Sequence, residues 1–163
     1  MNMIRDINIR NEIKHIITGS VVLVLSWTLV SLVHEFFHSL TAAMLGYQIS
    51  FNEIALNSGS TIVTGEMLPS HTALVAISGF IGLTTFGLAL IYLSEHQSLH
   101  MAGVIFLSRA WIDSLPLYEM DGALLAQSST PILAWTLLLL EITVSGSAIM
   151  HVIKGNPEKK IRP

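Results

Sequence analysis

Residues 16–45 read IITGSVVLVLSWTLVSLVHEFFHSLTAAML and decide the fold. The run is almost entirely apolar or small, and as a helix it would be about 45 Å long at 1.5 Å per residue. That length exceeds the roughly 30 Å hydrocarbon core of a bilayer. We therefore predict a membrane-spanning helix that tilts or projects and ends at Gly46. Because the run is too long for a signal-peptide core, we expect it to be retained.

The composition of the whole chain is that of a membrane protein. Of its 163 residues, 52% are hydrophobic and 12% are charged, and the mean hydropathy is +0.64. The absence of cysteine excludes disulfides and thiolate metal ligands. The net charge of −3, without a long basic run, gives no pattern for nucleic-acid binding. We expect a single integral, multi-pass membrane domain over residues 1–163, in contact with the lipid bilayer.

A change of pattern after the first apolar run predicts a β-hairpin over about residues 47–67. Tyr47, Ile49 and Phe51 alternate with polar residues, residues 57–60 (NSGS) are typical of a turn, and residues 61–64 (TIVT) favour a strand. The all-α membrane fold is therefore expected to carry a small β-hairpin after its first helix.

Three further apolar segments complete a predicted set of about four transmembrane helices. The apolar residues 71–94 predict a second span. We expect this span to be central, because the glycines within it allow close approach of neighbouring helices. Residues 99–126 predict a third span that is broken, since its first part is too short to cross alone and Pro116 follows it. Residues 131–153 predict the fourth. A non-helical break at membrane depth is tolerated where it lines a site.

The chemistry-bearing motif lies inside the first span, where residues 34–38 read HEFFH. On a helix, His34 and His38 fall on one face and can both reach one metal ion, while Glu35 lies beside it. Ionisable groups are costly to bury in lipid, so their presence there points to function. Bound zinc activates water and a carboxylate accepts its proton, which is the chemistry of a zinc metalloprotease. We predict one Zn²⁺ per chain, with Glu35 as the catalytic base.

A catalytic zinc site of this type needs a third protein ligand. The candidates are Asp113, Glu119, Asp121 and Glu141. Asp121 is favoured because it precedes a glycine just after the predicted break, and the alternating direction of the spans places it in the same half of the bilayer as His34 and His38. We predict that His34, His38 and Asp121 hold the metal.

These motifs resemble those of the site-2 protease family of intramembrane zinc proteases. The resemblance consists of HExxH in a membrane helix, residues 78–80 (SGF) in the next, and residues 115–122 (LPLYEMDG) in the third. The family's late motif reads approximately Asn-x-x-Pro-x-Pro-x-x-Asp-Gly, and alignment on Asp121 places Pro116 on its first proline. The resemblance covers about residues 20–130. It implies a minimal core without a PDZ domain that cleaves transmembrane proteins or peptides, with the hairpin beside the substrate.

The chain departs from the family pattern at three positions. Tyr118 stands at the second proline and Phe80 at the proline of a Gly-Pro element. The family's substrate-contacting asparagine aligns with Asp113, to which the resemblance therefore assigns substrate binding. An ionised aspartate accepts hydrogen bonds but does not donate them.

Two alternatives to a site-2-type protease remain open on the sequence alone. One is a catalytically silent membrane scaffold that binds metal, which the departures at Asp113 and Tyr118 favour. The other is a different membrane metallopeptidase class with Glu119 or Glu141 as third ligand. The sequence also predicts a buried ion pair between Arg109 and Glu141, since both lie near the middle of neighbouring spans.

Overall fold

The computed structural model describes residues 2–55, 58–116, 121–128 and 131–154. Within these ranges the chain forms five helices and one two-stranded antiparallel sheet. In chain order the elements are α1 (Asn2–Met44), β1 (Gln48–Ala55), β2 (Ser58–Thr64), α2 (Pro69–Tyr92), α3 (Gln97–Ser114), α4 (Asp121–Ser128) and α5 (Pro131–Lys154).

Three of the described helices are long and apolar enough to cross a membrane. They are the 29-residue segment Ile16–Met44 of α1, together with α2 and α5. The predicted count of four is thus not reproduced. Within the described ranges the third segment divides into the 18-residue α3, which carries Arg109 and Asp113, and the 8-residue α4. These charged residues and the polar start of α3 lower its hydropathy below that of its neighbours.

The end of α1 follows from one glycine. Gly46 has a φ of 86°, in the left-handed region that a residue without a Cβ adopts at little cost. The amide of Gly46 donates to the carbonyl of Ala43, and the amide of Tyr47 donates to that of Ala42, at 2.9 and 3.0 Å. These bonds satisfy the last carbonyls of α1, as in a glycine C-cap. The predicted stop at Gly46 is confirmed.

The predicted hairpin is confirmed, but its turn is shorter than the sequence indicates. Gln48 pairs with Thr64 and Ala55 pairs with Ser58. Residues 58–60 therefore belong to β2 rather than to the predicted turn at 57–60, because β pairing continues to Ser58. The connection at residues 56–57 lies outside the described ranges.

The predicted break in the third segment is confirmed. Leu115 has φ −64° and ψ 134°, outside the helical region, as expected for a residue before proline. Gly122, in the first turn of α4, lies directly against the backbone carbonyls of Ser114 and Leu115, so that a Cβ at this position would overlap them. The absence of a side chain at Gly122 therefore lets α4 begin against the end of α3.

The centre of the molecule is α2, which contacts each of the other four described helices. Its predicted central position is confirmed. Glycines bring the helices together: a Cβ on Gly103 of α3 would lie 2.7 Å from the carbonyl oxygen of Gly87 on α2. The main core joins several elements and includes Val30, Ala73, Ala76, Phe80, Leu83, Phe106, Ala110, Leu125 and Ala134.

The outer faces of the long helices are apolar. An apolar surface of this extent is unfavourable in water and indicates an apolar surrounding. Exposed large side chains on α1 and α5 include Val21, Val24, Leu25, Leu29, Phe36, Ile132, Trp135, Leu139 and Leu140.

We predict that Gly103→Ala destabilises the fold by about 1–3 kcal/mol, because the added methyl group has no room between α2 and α3. Gly146→Ala is the matched control, since a Cβ on Gly146 meets nothing within 4 Å. The control should be neutral or stabilising by up to about 1 kcal/mol through helix propensity. Unfolding of both variants in mixed micelles, followed by circular dichroism, measures the difference. Equal stability of the two variants would contradict the close helix crossing.

Candidate metal centre

His34 and His38 lie one turn apart on α1, and their imidazoles meet. The two Nε2 atoms are 2.8 Å apart, and the rings are nearly perpendicular with their centroids separated by 4.4 Å. Both side chains are largely buried, with exposed fractions of 12% and 9%. The i, i+4 spacing of HExxH therefore brings two ligand nitrogens to one point, as the sequence predicts.

Asp121, the first residue of α4, completes the cluster. Its Oδ2 is 3.2 Å from His34 Nε2 and 3.1 Å from His38 Nε2, and its side chain is 12% exposed. Together the three residues form a group that could hold a metal ion. Neighbouring ligand atoms in a tetrahedral site with bonds of about 2.0–2.2 Å are about 3.3–3.5 Å apart. The separations from Asp121 Oδ2 to the two nitrogens, 3.2 and 3.1 Å, are close to that spacing, whereas the two nitrogens, 2.8 Å apart, are closer together.

The charges at this point fit a cation. His38 Nδ1 lies 2.7 Å from the carbonyl oxygen of Val75 on α2, and since a carbonyl can only accept, Nδ1 donates. The Nε2 atom of a neutral His38 then has a lone pair directed at the cluster. Asp121 Oδ2 is a second acceptor there, buried and without a hydrogen-bond partner. Acceptors facing each other in a buried site are unfavourable unless a positive charge lies between them.

The position of Asp121 follows from the helix break and the glycine after it. Pro116 prevents α3 from continuing through Leu115, and Gly122 allows α4 to begin against the carbonyl groups at the end of α3. The acidic residue in the first turn of α4 is also favourably placed relative to the helix dipole.

Helix α2 lies against the back of the cluster at Gly79. A Cβ on Gly79 would be 2.8 Å from His34 Cε1 and closer still to the ring of His38. Next to it, Ser78 donates to the carbonyl oxygens of Val75 at 2.7 Å and of Phe37 at 3.2 Å. The two imidazoles thus occupy the space that a side chain at position 79 would fill.

The other predicted site residues have different positions. Glu35 is half-buried on α1 beside His34. Asp113 is 2% exposed, and its Oδ2 lies 3.3 Å from His34 Nδ1 and accepts a hydrogen bond of 2.9 Å from Arg109 Nε. The structure thus directs the Asp113 carboxylate towards the metal centre, while its contact with substrate stays a prediction. Glu119 and Tyr118 lie outside the described residues.

The predicted ion pair between Arg109 and Glu141 is wrong. Arg109 pairs with Asp113, one turn further along the same helix. Glu141 accepts a 2.6 Å hydrogen bond from Ser145 Oγ on α5. Local i, i+4 partners are available to both residues without ordering a second helix, which explains the difference. Among the described residues, Glu141 is not part of the candidate metal group.

Sequence reasoning missed two features of the site. The carbonyl of Val75 orients His38, but a backbone acceptor has no sequence signal. The sequence marks Gly79 as a position of close helix approach and as part of the 78–80 element of the family resemblance, but neither reading predicts its contact with the two histidines.

Comparisons of the chain with protein-family models, with curated proteins and with solved structures find no match.

We predict that Asp121→Ala loses the bound metal, whereas Glu141→Ala retains it. Removal of Asp121 leaves two protein ligands, which is fewer than catalytic and structural zinc sites use. Glu141 contacts Ser145 instead of the cluster. Metal content after purification in detergent, measured by mass spectrometry, checks the prediction. Loss of metal in Glu141→Ala with retention in Asp121→Ala would show that Glu141, and not Asp121, is the third ligand.

We also predict that Gly79→Ala weakens metal binding by about 10–100-fold, the range found when the support of a metal ligand is disturbed. The added methyl group would displace one or both imidazoles. The matched control is Gly19→Ala on α1, where a Cβ meets nothing within 4 Å. Competition with a metal chelator measures both affinities. An affinity of Gly79→Ala equal to that of the control would show that α2 does not support the histidines.

Proposed function

We propose that this chain is an integral, multi-pass membrane protein that acts as a zinc-dependent endopeptidase on membrane-spanning peptide segments. The observation that carries the proposal is the convergence of His34 Nε2, His38 Nε2 and Asp121 Oδ2 within 3.2 Å of one another. This cluster belongs to an HExxH sequence in a helix apolar enough to cross a membrane. One Zn²⁺ per chain is the proposed cofactor.

Zinc is favoured by the donor set. An imidazole nitrogen is a borderline ligand and a carboxylate oxygen a hard one, and two imidazoles with one carboxylate are a ligand set of catalytic zinc sites. Among the described residues three would hold the ion, which is the number of protein ligands in catalytic rather than structural zinc sites. With no cysteine in the chain, a fourth thiolate ligand is excluded.

The proposed chemistry assigns a separate task to Glu35. A zinc ion held by His34, His38 and Asp121 would supply Lewis acidity for the scissile carbonyl and would lower the pKa of water towards neutrality. Glu35, next to His34 on α1, accepts that proton as general base and returns it to the leaving amine. Water is thereby added across the peptide bond: the carbonyl carbon gains the hydroxyl group and the amine gains the hydrogen.

A location within the bilayer is supported by the surface of the helices around the site. The exposed side chains of α1 and α5 are largely apolar, and both helices are long enough to cross. We count α3 as the fourth crossing. A short connection at residues 93–96 returns the chain from α2 to α3, which packs along it. Asp113, near the end of α3, lies 3.3 Å from His34.

The substrate class follows from this location. A peptide segment inside a bilayer satisfies its backbone hydrogen bonds as a helix, so it must unwind before hydrolysis. Within the described ranges β1 pairs with β2 alone, so each of the two strands has an outer edge. An extended substrate could pair with one of these edges, as in β-strand addition. The resemblance of HExxH and residues 115–122 to site-2 proteases supports the same substrate class.

A metal-binding membrane protein without turnover is the second candidate. The observation that favours it is the environment of Asp113, which stands where the resembling family has a substrate-contacting asparagine. Its carboxylate is buried against His34 and Arg109. Metal content is the same under both candidates, so only a measurement of hydrolysis separates them.

We predict that Glu35→Gln retains zinc and loses peptide cleavage by about 100- to 10,000-fold, the usual contribution of a general base. The assay uses the purified chain in detergent or liposomes with a panel of single-pass reporter proteins, and cleavage is followed by gel and mass spectrometry. Glu141→Gln is the matched control, since it changes a buried carboxylate on α5, and it should cleave at the wild-type rate. A zinc chelator should abolish cleavage, and added zinc should restore it.

Cleavage by Glu35→Gln at the wild-type rate would remove Glu35 from the mechanism. Zinc binding without cleavage of any reporter by the wild-type chain would favour the silent metal-binding protein.

A further inference from the structure

Asp113 lies on the side of the His34 ring that faces away from the metal ligands. His34 Nε2 belongs to the cluster with His38 and Asp121, whereas His34 Nδ1 is 3.3 Å from Asp113 Oδ2. The two nitrogens are on different edges of the imidazole, so the ring lies between the cluster and the Asp113 carboxylate. Asp113 is 2% exposed.

A carboxylate beside Nδ1 determines which nitrogen of a neutral imidazole carries the proton. A proton on Nδ1 is attracted to the Asp113 carboxylate, and Nε2 then keeps the lone pair that a metal needs. His34 Nδ1 makes no hydrogen bond among the described residues, so its 3.3 Å contact with Asp113 is electrostatic. His38 Nδ1 instead donates a 2.7 Å hydrogen bond to the backbone carbonyl of Val75. The two imidazoles therefore have different supports: a neutral carbonyl for His38 and a charged side chain for His34.

Arg109 holds the Asp113 carboxylate in this position. Its Nε donates a 2.9 Å hydrogen bond to Oδ2, the same oxygen that faces His34. A buried carboxylate is unfavourable without a partner, and an arginine one helical turn earlier on α3 provides one without a contact to another helix. The order of contacts is thus Arg109, Asp113, His34 and then the metal position.

We infer that Asp113, held by Arg109, is a positioning residue of the metal centre that orients His34 and strengthens it as a ligand. The inference deepens the proposed function and rests on it for the identity of the metal. It assigns Asp113 a different task from the substrate contact that the family resemblance implies, because the carboxylate is buried and both of its observed partners belong to the protein.

Zinc affinity in the absence of substrate separates these two roles. We expect Asp113→Asn to bind zinc about 10–100-fold more weakly than wild type, as is usual for loss of a carboxylate behind a metal-bound histidine. Glu141→Gln is the matched control and should bind as wild type does, because Glu141 contacts Ser145 on α5. Competition with a chelator of known affinity gives the ratio. Wild-type zinc affinity in Asp113→Asn, with a raised KM for cleavage, would overturn the inference in favour of substrate contact.

A spectroscopic measurement distinguishes positioning from general support of the fold. Co²⁺ in place of zinc has visible absorption bands that respond to ligand geometry, so Asp113→Asn should shift these bands and Glu141→Gln should not. Both metal-free variants should have the wild-type far-ultraviolet circular dichroism spectrum. An unchanged Co²⁺ spectrum in Asp113→Asn would overturn the positioning role.

The part played by Arg109 is tested with a double variant. If Arg109 acts only through Asp113, then the double variant Arg109→Gln/Asp113→Asn loses no more zinc affinity than Asp113→Asn alone. Additive losses would show that Arg109 acts by another route.

These measurements use zinc or Co²⁺ alone, so they do not depend on peptide cleavage. A chain that binds zinc without cleaving reporters would leave the proposed function unsupported, while the role of Asp113 would still be decided.

Discussion

Two imidazole nitrogens and one carboxylate oxygen lie within 3.2 Å of one another among apolar helices, and they require a shared positive charge. The rest of the structure around the site serves this arrangement. α1 presents both histidines on one face, α2 orients His38 through the carbonyl of Val75, and the broken third segment brings in Asp121. Three separate parts of the chain must therefore fold together before the cluster exists.

The cluster forms because helices approach each other closely at glycines, which have no side chain. Gly79 provides the space for the two imidazoles, and Gly122 allows α4 to begin against the carbonyls of α3. In a membrane, helix association depends on packing more than on a hydrophobic force, because lipid is as apolar as the helix surfaces. The same residues that let the helices pack thus also form the walls of the site.

Local patterns were sufficient to predict much of the architecture. The apolar run of α1, its end at Gly46, the hairpin, the central α2 and the break at Pro116 all follow from hydropathy, periodicity and the special backbone properties of glycine and proline. Patterns could not specify the partners of charged side chains. Arg109 and Glu141 each bind a neighbour on their own helix instead of each other, because a local partner costs less conformational entropy than a distant one.

The sequence by itself determined that His34 and His38 share a helix face, since spacing along a helix is a local property. It also identified Asp121 as the favoured of several carboxylates. Only the tertiary structure brought Asp121 to the histidines, turned Asp113 towards the back of His34 and placed Gly79 against both rings. These contacts join residues of different helices, and their distances depend on how closely the backbones pack, which no single segment encodes.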